Sequence, residues 1–237
     1  MPIVKVFVSG DRHDIDYIVK HLSTAGVPVE KDADGYLVLS REGDTEEALE
    51  ELQDSIGILS AMCYLELDSR TPLRLNRYAT VNEDGSLAVH VAVSDEVHAR
   101  DFIDIEVEAE EGATSIASPG DQLADLFKLA TADQTVRKVF GFLADADYSW
   151  VNLYRIYETI RADLGGEKEL ISRGWFSKKT ISLFGHTANS FSAIGREARH
   201  GAEPHDPPKH PMTHGEAKAL VNLLVHEWLE EKKEATI

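Results

Sequence analysis

The strand-type alternation of this chain stops near residue 120, and that change limits the architectures open to it. Before it, β-formers alternate. Ile3 to Val8 reads Ile-Val-Lys-Val-Phe-Val, and Phe102 to Glu108 alternates apolar with acidic residues, the period of two that marks a strand with one wet face. Beyond it, apolar residues recur every three or four positions, as in Leu153, Ile156, Tyr157, Ile160 and Leu164, the stripe of a helix packed on one side. Glu108 to Ser115 and then Ser118-Pro119-Gly120 interrupt both patterns, as a linker does. The expected fold class is α+β: a small α+β domain at about 1–115, then an all-α helical bundle at about 120–237.

Local signals place the elements. In the first part, Ile15, Ile18, Val19 and Leu22 lie at helical spacing within 14–25, and Gly26 closes that helix. Tyr36 to Leu39 is a short strand, and Asp44 or Thr45 caps a helix running to about Tyr64. Arg74–Val81 and Leu87–Val93 flank an Asp-Gly turn, which predicts a hairpin. In the second part, helices are expected over 121–130, then after a cap at Thr131 or Asp133, then over Trp150–Leu164 after Ser149 and before Gly165-Gly166. Two shorter ones are expected over 168–173 and 178–187. Thr213 and Glu216 form a capping box for a last helix carrying Ala217, Leu220, Val221, Leu224 and Trp228.

Charge follows the same division. The net charge is −18; residues 1–120 hold 25 Asp and Glu against 9 Lys and Arg, whereas 121–237 hold 17 against 15. Affinity for the phosphate backbone comes from Lys and Arg displacing counterions, so a general nucleic-acid-coating protein is excluded. The acidic part suits a protein partner better than an RNA. Its many acids have a plain reading too: those between Asp101 and Glu111 charge the outer face of a strand, and Asp11, Asp14 and Asp16 cap a helix start. The single cysteine, Cys63, lies in an apolar run and reads as a buried small hydrophobe in a reducing compartment. No stretch approaches the roughly 18 apolar residues that span a bilayer. A cytoplasmic protein without a membrane partner is expected.

Chemistry is expected where polar residues crowd without a packing reason, at residues 195–214. Four of the ten histidines, His200, His205, His210 and His214, fall within fifteen positions there, with Arg196, Arg199 and Lys209 beside them. Pro207, Pro208 and Pro211 forbid helix just before the capping box. A helix N-terminus offers unpaired N–H groups to phosphate, arginine grips two phosphate oxygens, and histidine moves protons near neutral pH. These are the parts of a phosphodiesterase. RNA supplies its own 2′-hydroxyl nucleophile, so such a site needs no metal and no cofactor.

The segment Arg199-His200-Gly201-Ala202-Glu203-Pro204-His205, just ahead of the last helix, resembles the R-x(4–6)-H motif of the HEPN superfamily. The run Trp150 to Glu158 also resembles the long helix of uncharacterised bacterial HEPN-like proteins. The order Thr187–Ser190, Arg199–Gly201, Pro211–Thr213 does so as well. The match covers about 121–235. It implies a metal-independent RNA endonuclease, or a nuclease-derived effector of bacterial stress response or phage defence, that dimerises through the helical domain so that two motifs meet. On that basis Arg199 binds the scissile phosphate, His205 moves the proton, and His200 fills the polar position after the arginine. Arg196 and Lys209, near the helix start at Thr213, are expected to assist in phosphate binding, and RNA or a nucleotide is the expected partner.

Other readings of the same residues stay open. Arg199 and His200 also suit hydrogen bonds to carbonyls at the end of the preceding helix. The four histidines, separated by four, four and three intervening residues, match no common zinc spacing. Glu158 and Arg161 read as a solvated i,i+3 pair, and Trp228 as core. A non-catalytic binding or regulatory protein is the competing class.

Overall fold

The computed structural model describes residues 2–81, 86–91, 119–144, 148–199 and 206–236. Contacts divide the chain into two compact units, Met1–Ile56 with Leu73–Asp125, and Gly57–Pro72 with Leu126–Ile237. The architecture is mixed α and β, as the change of hydrophobic period predicts. The expected strand Phe102–Glu108 and the acids from Asp101 to Glu111 lie outside the described residues.

The first unit contains β1 (Ile3–Ser9), α1 (Arg12–Leu22), β2 (Val29–Lys31), β3 (Leu37–Glu42), the start of α2 (Thr45–Leu67), β4 (Arg74–Val81) and β5 (Leu87–Val91). The sheet order is β2-β3-β1-β4-β5, with every neighbouring pair antiparallel. Strands β2-β3-β1-β4, with helices after β1 and β3, form the split βαβ arrangement called ferredoxin-like. β5 extends that sheet beyond β4, pairing antiparallel from Val81↔Leu87 to Arg77↔Val91, while the Asp-Gly turn expected between the two strands lies outside the described residues.

Alternation decides which face is buried. Val4, Val6 and Val8 are fully buried, while Lys5, Phe7 and Ser9 between them are half-buried. Ile15, Ile18 and Leu22 of α1, with Ala48, Leu52 and Ile56 of α2, complete this core. On the other face, Arg77, paired in register with Phe7, lies over the Phe7 and Tyr36 rings at 4.5 and 4.7 Å and reaches Asp32 at 3.4 Å. The helix ends follow their caps. Asp11 accepts the His13 N–H at 2.8 Å, and Asp44 accepts those of Glu46 and Glu47 at 3.0 and 3.4 Å. Gly26, at φ +81°, turns the chain after α1.

The second unit takes the end of α2 from Gly57, the end of α3 (Pro119–Ala132), α4 (Gln134–Ala144), α5 (Trp150–Asp163), α6 (Glu167–Ser172), α7 (Lys178–Ala188), α8 (Phe191–Ile194), a 3-10 turn at Gly195–Glu197, and α9 (His214–Thr236). Asp133 caps α4 by accepting the Thr135 and Val136 amides, and Ser149 caps α5 by accepting that of Asn152. α5 ends in a Schellman pair: Gly165 N–H donates to Ala162 O at 3.1 Å, and Gly166 N–H to Arg161 O at 2.8 Å. The capping box closes as expected, with Thr213 N–H and Oγ1–H both donating to Glu216 at 2.7 Å and the Glu216 amide returning to Thr213 Oγ1.

α5 is the centre of this unit, in contact with α4, α6, α7 and α9. Val136, Val139, Phe140, Leu153, Ile156, Ile160, Phe184, Val221, Leu224 and Trp228 are buried together in the core of the unit. Trp228, expected as core, is fully buried, and its indole N–H donates to Asp163 at 2.9 Å. Cys63 is buried as well. Among the described residues, no helix is long and apolar enough to cross a membrane.

Candidate functional site

The site is built on one stripe of α5. Trp150, Tyr154 and Glu158 stand at i, i+4 and i+8, so their side chains line a single face over about 12 Å at 1.5 Å per residue. Arg199 meets this stripe. Its guanidinium lies 4.5 Å from the Tyr154 ring centroid, and Nη2 donates to both Glu158 oxygens at 3.3 Å. Arg161, over the Tyr157 ring at 5.5 Å, reaches the same carboxylate at 3.7 Å. Two guanidinium groups therefore share one carboxylate, leaving a local charge of +1 inside an acidic protein.

The end of α7 fixes where Arg199 sits. Ala188 O accepts the Arg199 N–H at 3.0 Å, His186 Nε2 bonds to Asp206 O at 2.9 Å, and Thr187 Oγ1 accepts the Met212 N–H at 3.1 Å. Both flanks of the histidine-rich segment are thus tied to one helical turn. Thr187 is fully buried, so its hydroxyl meets an obligatory backbone donor where water does not reach. His200 and His205 lie outside the described residues.

Arg196 and Lys209 are exposed and form no ion pair among the described residues. His210 is likewise exposed. His214 starts α9, where its Nε2 bonds to the Tyr148 carbonyl and its ring meets Trp150 edge-on at 6.1 Å. Tyr148, Ser149, Trp150, Ile194, Glu197 and His214 line a cleft of about 460 Å³. Trp150 also belongs to the stripe that holds Arg199, so cleft and guanidinium share one helix face.

Of the polar residues singled out at 195–214, the structure sets Arg199 against α5 and His214 at the cleft, and leaves Arg196 and Lys209 at the surface. The alternative in which the Arg199 side chain binds helix-end carbonyls is not what is seen. The main-chain N–H does that, and the guanidinium turns to Glu158. Sequence reasoning missed this pairing because 41 residues separate the partners. From sequence Glu158 reads as half of a local i,i+3 pair with Arg161, and that contact is present as well.

The titratable groups limit the chemistry. Burial pushes Tyr148 well above the ordinary phenol range, with the neighbouring Tyr64 adding to it. Burial likewise raises Tyr157, although Arg161 opposes the shift. These phenols stay protonated near neutral pH and are not bases, and the buried Tyr148 hydroxyl has no hydrogen-bond partner among the described residues. Among the described residues, no three His, Cys, Asp or Glu side chains group so as to hold a metal ion. No family model, curated protein or solved structure matches the chain.

Proposed function

We propose that the helical unit is an RNA endonuclease of the HEPN-like, metal-independent type, or an effector derived from one, with Arg199 as its phosphate contact and His205 as the group that moves the proton. The observation that carries this reading is the Arg161–Glu158–Arg199 arrangement. It supplies a pre-oriented guanidinium in a local excess of positive charge, beside the segment bearing the motif histidines. Only Nη2 of Arg199 is engaged among the described residues, and because both two-donor edges of a guanidinium include Nη2, the bidentate grip that a phosphate favours takes Nη2 over from Glu158.

Exchange of partners is cheap. The Arg199 and Glu158 side chains are 33% and 40% exposed, and an ion pair this wet is worth about 0–1 kcal/mol. A dianionic transition state outcompetes one shared carboxylate. Arg196 and Lys209 add steering charge at the surface, and the role proposed for the helical unit includes dimerisation that brings two motifs together. In a bacterial setting, stress response or phage defence is the proposed context, with the acidic unit recruiting a protein partner.

One observation favours the competing class. Arg199 is already neutralised in part by Glu158, which suits a structural clasp. In that case the cleft at Tyr148, Trp150, Glu197 and His214 serves a binding or regulatory protein without catalysis. Incubation of the purified protein with RNA separates the two. Cleavage that falls at least about 100-fold in Arg199→Ala, as expected when a transition-state cation is removed, supports the nuclease. Equal cleavage by the variant, or none by the parent protein, supports the clasp.

A further inference from the structure

We infer that Arg161 is a second phosphate contact and that Glu158 stands in for the phosphate, a carboxylate that occupies the space between Arg161 and Arg199 until a nucleic-acid phosphate displaces it. The inference rests on the endonuclease reading above for its ligand and adds two residues that the motif does not contain. It concerns binding alone and involves no proton transfer.

Helical spacing puts the parts on one face of α5. Arg161 stands eleven residues after Trp150, so at 3.6 residues per turn it continues the stripe of Trp150, Tyr154 and Glu158. Each guanidinium rests on its own ring. Arg199 lies 4.5 Å from the Tyr154 centroid and Arg161 5.5 Å from that of Tyr157, both within the range of cation–π attraction. Glu158 sits between them, and its Oε1 is shared, 3.3 Å from Nη2 of Arg199 and 3.7 Å from Nη2 of Arg161. Two cations aimed at one point need an anion there, and in the free protein Glu158 is that anion.

Carboxylate and phosphate present the same two-oxygen edge to a guanidinium. Both two-donor edges of Arg199 include the Nη2 that Glu158 holds, so the two anions compete for one donor. The carboxylate serves the pair poorly, because its contact with Arg161 is too long for a hydrogen bond. A phosphodiester has two non-bridging oxygens on a tetrahedral centre and can turn one toward each arginine. Displacement is cheap: the Arg161 and Glu158 side chains are 30% and 40% exposed, and each pair this wet is worth about 0–1 kcal/mol. When Glu158 turns out to water, the Tyr154 and Tyr157 rings still support both guanidinium groups.

The test separates binding from cleavage. A labelled single-stranded oligonucleotide carrying 2′-O-methyl groups throughout, which lacks the nucleophile, is titrated with the full chain and its variants by fluorescence anisotropy at several salt concentrations. Glu158→Gln keeps an acceptor oxygen and loses the competing charge, so it should bind about two- to tenfold more tightly than the parent, a gain that a damaged fold does not produce. Arg161→Ala should bind about tenfold more weakly and flatten the plot of log Kd against log salt concentration by about 0.7, the share of one single-strand phosphate contact. Arg161→Lys should keep the parental slope. Probes with and without a 5′-phosphate identify the source: equal affinity assigns an internal phosphodiester, tighter binding of the phosphorylated probe a terminal phosphate, and either upholds the inference. Weaker or unchanged binding by Glu158→Gln overturns the stand-in role. Parental affinity and slope in Arg161→Ala, with Arg199→Ala weakened, overturn the second contact and leave the endonuclease standing. Binding as expected, with no cleavage of the matching RNA by the parent protein, overturns the endonuclease and leaves the two-arginine site. Neither binding nor cleavage by the parent protein overturns both.

Discussion

Asp133 joins two helices of the second unit, and its removal has a calculable cost. One oxygen caps α4 by accepting the Thr135 and Val136 amides at 2.8 and 3.1 Å, and the other accepts from Lys232 of α9 at 2.7 Å. Losing an N-cap costs about 0.5–2 kcal/mol. The ion pair, with side chains 23% and 26% exposed, adds about 0.5–1 kcal/mol, discounted because Lys232 keeps Asp163 at 3.1 Å. Asp133→Ala should therefore cost about 1–3 kcal/mol, which at 2–4 °C per kcal/mol lowers Tm by about 2–12 °C. Asp133→Asn keeps a capping oxygen and should cost only the ion-pair share. All three tryptophans, at 150, 175 and 228, lie in the second unit, so their fluorescence during urea unfolding reports that unit alone. An Asp133→Ala variant within 0.5 kcal/mol of the parent, or an Asp133→Asn variant as unstable as it, would refute the reasoning.

Two further outcomes follow from the carboxylates. Burial acts to raise Asp133, but the Lys232 bond and the two backbone amides outweigh it and hold its carboxyl below the usual value. The Arg173 fork, with two bonds of 2.7 Å, holds Glu231 low as well. Depressed carboxyls contribute stability that is present above their unfolded values and lost as pH falls through the folded ones. Unfolding of the second unit should therefore become easier as pH drops below about 4.5. Glu231→Gln should flatten that slope, and an unchanged slope by urea titration at several pH values would contradict it. Glu216 is held low by the Thr213 amide first and the Thr213 hydroxyl second. Glu216→Ala should fray the start of α9, seen as faster amide exchange at residues 213–217, and equal exchange would remove the capping box from the account.

Much of the fold is legible because its signals are local. Asp44, Asp133 and Ser149 mark helix starts through one side-chain oxygen each, Gly165-Gly166 mark an end through positive φ, and Thr213 with Glu216 close on each other three residues apart. β2 is not legible. Three residues carry too little pattern, and the strand exists through pairing from Val29↔Leu39 to Lys31↔Leu37 and an Asp32 turn accepting the Asp34 and Tyr36 amides. α2 runs three residues past the expected end near Tyr64, and its second half groups with the helical unit. There Tyr64 O–H donates to Asn222 at 2.8 Å, across 158 residues that no local periodicity spans. The site divides in the same way. Arg199 stands out by its motif, but Glu158, the partner that orients it, is visible only once α5 and the α7 end bring the two together.

The central claim is that Arg199 and its carboxylate partner form the phosphate end of an RNA-cleaving site. The most direct measurement is end-group analysis of RNA incubated with the metal-chelated full chain, beside Arg199→Ala and His205→Ala. The account predicts fragments ending in 2′,3′-cyclic phosphate from the parent protein, and a loss of at least about 100-fold in each variant. Intact RNA with the parent protein, or equal fragment yields from all three, would contradict it.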